Sequence, residues 1–149
     1  MSDEPPQPAA PLQAQLVAAG VALTTVIYMI VVMLLRATDA LPDGGYVGLE
    51  PEVANAMGII LLVLGTAGVA ASLPVRRFLV RRLTPESDNI NARMRILLIT
   101  MAICESSAIY GLVLALMGGL NTTVWILWGL SVAGHILLFP SRSWLRGRS

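Results

Sequence analysis

Two stretches of this chain, residues 16–35 and 53–75, each run for twenty residues or more without a charged side chain, and nothing else in the sequence constrains the fold as tightly. Crossing a hydrocarbon core of roughly 30 Å takes about 20 mostly apolar residues in a helix. A third apolar stretch, residues 96–139, is too long for one crossing, and Gly118-Gly119-Leu120-Asn121 interrupts it with turn-forming residues. The reading is an all-α integral membrane protein of four transmembrane helices, over about residues 16–35, 53–75, 96–117 and 122–139. Composition agrees, since 56% of the residues are hydrophobic and 13% charged, against about 25% charged in soluble domains. At 149 residues the chain is expected to hold one membrane domain, residues 12–141. Residues 1–11, with four prolines, are expected to be extended or disordered, and residues 142–149 form an arginine-rich tail.

Arginine placement sets the orientation. All ten cationic side chains are Arg. Arg76, Arg77, Arg81, Arg82, Arg93 and Arg95 fall between the second and third spans, Arg142, Arg146 and Arg148 in the tail, and Arg36 alone between the first two. By the positive-inside rule the arginine-rich loop and both termini are cytoplasmic. Asp3 and Glu4 stand where a cleavable signal peptide carries cations, so the first span is expected to stay. Residues 37–51, with Asp39, Asp43 and Glu50, read as an exposed acidic loop, and Trp125, Trp128 and Trp144 as interfacial anchors. The Lys-free composition, rich in Ala, Gly and Leu, suits a GC-rich bacterial genome and hence a bacterial inner membrane. A net charge of +1 leaves no basic face for nucleic acid. Cys104 alone makes no internal disulfide. With no metal-ligand cluster and no nucleophile–base pair, neither a cofactor nor a catalytic activity of its own is expected, and a small-molecule carrier or membrane enzyme is the weakest reading.

One acidic residue lies inside a span. Glu105 is ten residues beyond Arg95, which at 1.5 Å per residue is about 15 Å of depth, near the bilayer centre. A charged carboxylate there costs roughly 2.5–3.5 kcal/mol on insertion scales, and an intramembrane acid marks an ion path by default. Taking a carboxyl group out of water favours its protonated form. Counting inward along the other helices brings Thr66 and Ser131 to the same level, and His135 about one turn nearer the cytoplasmic side. Ser106 and Tyr110 add hydroxyls on the same helix. Small residues recur at three- and four-residue steps along the third span, at Thr100, Cys104, Ser107, Gly111, Ala115 and Gly118, and along the second at Gly65, Gly68 and Ser72. Such faces allow close backbone approach, so these two helices are expected to be neighbours, with Gly65, Gly68, Ser107 and Gly111 as packing positions.

The segment Ile103-Cys104-Glu105-Ser106-Ser107-Ala108-Ile109-Tyr110-Gly111-Leu112-Val113 resembles the carboxylate-bearing second helix of the ATP synthase c subunit, the rotor-ring proteolipid. In that family an acid is followed at this spacing by Ala-Ile-Tyr/Phe-Gly-Leu. The resemblance covers residues 103–116 and implies that Glu105 is the ion-carrying carboxylate. It further implies that Ser106 and Tyr110 match the serine or threonine and the tyrosine of sodium-type members, and that Thr66 is the nearest substitute for their glutamine. The second and third spans would then be the family hairpin, with one further helix before it and one after.

Two functional readings follow. In the first, the chain is a c-subunit-like membrane subunit whose Glu105 binds or relays H⁺, with Na⁺ the lesser alternative, assisted by Ser106, Tyr110 and Thr66, and with Ser131 and His135 behind them. In the second, it is a non-catalytic accessory or scaffold subunit in which Glu105 locks helices together. Either way the expected partners are the lipid bilayer and other membrane subunits or further copies of the chain.

Overall fold

The structure, a computed structural model, describes residues 9–83 and 89–141. Four helices follow one another: α1 (Ala9–Ala37), α2 (Pro51–Arg81), α3 (Ile90–Gly118) and α4 (Thr122–Leu138). The first three are long and apolar enough to cross a membrane, and α4 is a shorter apolar helix. At 17 residues α4 measures about 25 Å. The central element is α3, which packs against α1, α2 and α4.

Local signals fix the helix ends. Asn89 and Asn121 cap α3 and α4, their side chains accepting from the backbone N–H of Ala92 and Val124 at 3.0 and 3.1 Å. Pro51 opens α2, where its missing N–H costs nothing. Gly119, at φ +78°, ends α3 in a backbone conformation that L side chains rarely adopt. A Cβ there would also collide with the Asp43 carbonyl oxygen. The break between the last two helices therefore falls at the Gly118–Asn121 turn named by the sequence.

Polarity is arranged apolar side out. Thr25, Thr100, Glu105, Ser107, Ser131 and His135 are buried, while Leu16, Leu23, Val63, Ile136 and Leu137 are each more than half exposed. Exposed apolar area on this scale is foreign to a soluble monomer and compatible with lipid contact.

Several boundaries and placements differ from the sequence reading. Helix α1 is already formed at Ala9, inside the segment expected to be extended. Residues 1–8 and 142–149, including Trp144 and the tail arginines, lie outside the described residues. The supposed arginine loop is largely helical: Arg76, Arg77 and Arg81 belong to α2, and Arg93 and Arg95 to α3. The end of an apolar run marks the edge of a hydrocarbon core, but arginine is a good helix former and the backbone ladder continues past it. Arg93 is in fact buried, 5% exposed. Helix α2 also continues through Pro74, which leaves the Ala70 carbonyl without its i+4 donor, a loss that apolar helices tolerate where neighbours pack around them.

The acidic loop is not simply exposed either. Leu41 and Gly45 are buried, and the Tyr46 N–H donates to the Leu116 carbonyl at 2.7 Å, so the loop folds over the α3–α4 turn. Trp128 is a core residue rather than an interfacial anchor, 1% exposed, with Nε1 donating to the Ala108 carbonyl at 3.2 Å. Gly111 makes the space, since a Cβ there would come within 2.9 Å of the indole. Trp125 stays 43% exposed and meets Trp128 edge to face.

Candidate functional site: a buried carboxylate–imidazole layer

Halfway along the bundle, α1, α3 and α4 each contribute polar side chains to one layer. From α1 come Thr24 and Thr25. Consecutive helical residues point about 100° apart, and the pair reaches both oxygens of Glu105. Thr24 Oγ1 lies 2.5 Å from Oε1, and Thr25 Oγ1 donates to Oε2 at 3.0 Å. From α4 come Ser131 and His135, one turn apart on one face. Ser131 Oγ lies 3.0 Å from Thr25 Oγ1 and 3.3 Å from His135 Nδ1. His135 Nε2 faces Glu105 Oε2 across 3.4 Å.

Hydrogen-bonding capacity decides what this layer can do. His135 Nδ1 lies 2.7 Å from the Ser131 carbonyl oxygen, a pure acceptor, which assigns a hydrogen to Nδ1. In the neutral ring Nε2 is then an acceptor. It is buried, has no hydrogen-bond partner among the described residues, and is aimed at a carboxylate oxygen that is also an acceptor. A proton on Nε2 turns two facing acceptors into a charge-assisted contact. The other carboxylate oxygen poses the same question. Thr24 Oγ1 lies 2.5 Å from both Oε1 and the Val21 carbonyl, and its single hydrogen can serve only one of them. A proton on Oε1, donated to Thr24 Oγ1, frees the Thr24 hydrogen for Val21. The layer thus offers two places, Glu105 Oε1 and His135 Nε2, where an added proton completes the hydrogen bonding.

Apolar side chains close the layer off in both directions. Towards the arginine end lie Ala18, Leu97 and Met101, with Val21 packed against them. Towards the other end lie Val32, Ala108, Leu127 and Trp128 in a larger cluster. At the side, a groove of about 540 Å³ between α1 and α4, lined by Ala22, Leu23, Val26, Val132 and Ile136, reaches His135 from the apolar surface.

The site residues named from the sequence are distributed unevenly around this layer. Ser131 and His135, placed behind the carboxylate in the sequence reading, belong to its immediate network. Thr66, Ser106 and Tyr110 do not join it. Thr66 is exposed on the far side of α2, beside Leu62, Val63 and Ala70. Ser106 turns its hydroxyl onto its own helix, donating to the Ile103 carbonyl at 2.7 Å, and borders Gly68 of α2. Tyr110 packs on the larger apolar cluster. The reason is rotational: depth along an axis says nothing of azimuth, and the Ser106 and Thr66 faces point towards or past α2, while Glu105 faces α1 and α4. The packing positions lie at close approaches. A Cβ on Gly65 would meet Leu127 at 2.7 Å and the Ser107 hydroxyl at 2.9 Å, and Ser107 itself donates to the Leu127 carbonyl at 2.9 Å. Thr24 and Thr25 were missed by sequence reasoning, although Thr24, Thr25 and Tyr28 are the only hydroxyl-bearing residues of the first apolar run and the threonines stand at its midpoint.

No protein-family model matches the chain, and no curated protein or solved structure matches it either.

Proposed function

We propose that the chain is a four-span integral membrane subunit, with both termini on the cytoplasmic side of a bacterial inner membrane, that binds or relays H⁺ through Glu105 and His135. The observation that carries this reading is the buried His135 Nε2, without a hydrogen-bond partner among the described residues and 3.4 Å from Glu105 Oε2. Span lengths, the apolar exterior and the arginines gathered at one end support the membrane placement. Protons fit the layer better than Na⁺. The threonine hydroxyls already approach the carboxylate at 2.5 and 3.0 Å, which leaves no room for a cation between them, and an imidazole nitrogen takes the place of a further oxygen. The likeness of residues 103–116 to the ATP synthase c subunit points the same way, with Glu105 as the protonated carboxylate and α2–α3 as the hairpin. Because α1 and α4 of the same chain enclose Glu105, proton exchange in this reading proceeds by movement of α1 along the groove that reaches His135.

The closure of the layer by apolar clusters on both sides favours a second reading, in which the protein is an accessory or scaffold subunit and Glu105 joins α1, α3 and α4. Proton flux under an imposed pH gradient in proteoliposomes separates the two. The relay reading expects flux in the wild type and none in Glu105→Gln, with the variant still folded. The scaffold reading expects no Glu105-dependent flux, little effect of Glu105→Gln on stability, and a loosened bundle in Glu105→Leu.

A further inference from the structure

At the arginine end of the bundle, the last turns of α2 and the end of α4 frame an open groove of about 470 Å³. Its walls are part apolar and part basic. Leu73, Val80 and Phe139 supply apolar walls, while Arg76, Arg77 and Arg81 line it with positive charge, and among the described residues no acidic side chain lines it. Leu73 and Arg81 are separated along α2 by eight residues, or about 12 Å. Arg76 ties the two helices together, its Nη1 donating to the Leu138 carbonyl at 3.0 Å. Arg77 and Arg81, both exposed, are one turn apart on α2 and form a two-guanidinium mouth above the apolar part.

We infer that this groove is a binding site for an anionic phospholipid, with the phosphate between Arg77 and Arg81 and an acyl chain along Leu73 and Phe139. Guanidinium groups match phosphate oxygens through paired N–H donors. Leu73 at the inner end and Arg81 at the outer end, about 12 Å apart, stand in the order in which a lipid in a bilayer presents its chain and then its phosphate. A soluble phosphate compound would use the arginines but leave the apolar walls uncovered. Arg82 carries the same charge next door but stacks its guanidinium over Phe78, 4.3 Å from the ring centroid, and does not line the groove.

This inference rests on the membrane reading, and one experiment separates the two. The intact protein is placed in phosphatidylcholine nanodiscs with a trace of spin-labelled phosphatidylglycerol, and the immobilised fraction of the label is measured. The wild type is expected to select the anionic lipid. Arg77→Gln/Arg81→Gln is expected to weaken that selection at least tenfold, since a hydrogen bond to a charged group contributes about 1.5–3 kcal/mol and about 1.4 kcal/mol is tenfold. The charge-matched pair Arg82→Gln/Arg95→Gln should lose no more than a few-fold. Equal losses in the two double variants, no selection by the wild type, or displacement of the label by equimolar free glycerol phosphate would each overturn the site. Failure of the wild type to enter nanodiscs would overturn the membrane reading and the site with it, whereas entry without selection removes the site alone.

Discussion

Between α3 and α4 the backbones meet at glycines, with Gly111 under the Trp128 ring and Gly134 beside Cys104, whereas between α3 and α1 the described side-chain bonds run from Thr24 and Thr25 to one carboxylate. A Cβ on Gly134 would lie 2.7 Å from the Cys104 sulfur and 3.3 Å from Val69, so α2, α3 and α4 are locked by shape. Shape-locked seams are bistable at best, because a packed interior does not deform continuously. Hydrogen bonds between hydroxyls and a carboxylate break and re-form without repacking a core, and a groove already separates α1 from α4 beside His135. In the proposed relay, α2–α3–α4 is the scaffold and α1 the element that moves.

The largest effect should come from attacking the shape-locked seam. Gly134→Val is expected to cost about 1–3 kcal/mol or more through overpacking against Cys104, read as a fall in the detergent-denaturation midpoint. Cys104→Ala, which removes the atom nearest the added Cβ, should recover part of that loss; if it recovers none, the close approach is not the cause. A smaller effect is expected at the hydroxyl-bonded seam. Thr25→Val should cost about 0.6–1.7 kcal/mol, the span for interhelical hydrogen bonds in membranes. Its diagnostic is where the change falls: faster amide exchange in the middle of α1 with α3 and α4 unchanged. Acceleration spread evenly over all four helices would erase the distinction between the seams. The smallest effect belongs to Arg36→Gln, which breaks the exposed 2.8 Å pair with Asp43. A change within about 0.5 kcal/mol is expected, and a larger one would show that the loop over the α3–α4 turn depends on this pair.

How far the sequence could be read follows the same division. Helix number, the Gly118–Asn121 turn and the singular position of Glu105 all depend on axial position, which apolar runs and turn residues encode directly, and the adjacency of α2 and α3 was legible from their small-residue faces. Azimuth is encoded weakly in a helix apolar on most sides, because lipid and core both accept Leu, Ile and Val. That is why Thr66 was set beside Glu105 at the right depth but on the wrong face, and why Trp128 read as an anchor although Gly111 holds it inside. Thr24 and Thr25 were legible by the depth argument applied to α1, where two hydroxyls at the midpoint of an otherwise apolar run call for a buried polar partner. The continuation of α2 to Arg81 was not, since the apolar run stops at Val75 for reasons of solvent and the helix does not.

The central proposal is that Glu105 and His135 share a relayed proton across their 3.4 Å approach, and infrared difference spectroscopy of the membrane-reconstituted protein across pH tests it most directly. The account predicts a carboxyl C=O band that appears and disappears reversibly with pH, is absent in Glu105→Gln, and changes its pH dependence in His135→Gln while the bundle stays folded. A Glu105 band indifferent to His135→Gln, or no Glu105-dependent band at any pH the fold survives, would contradict it.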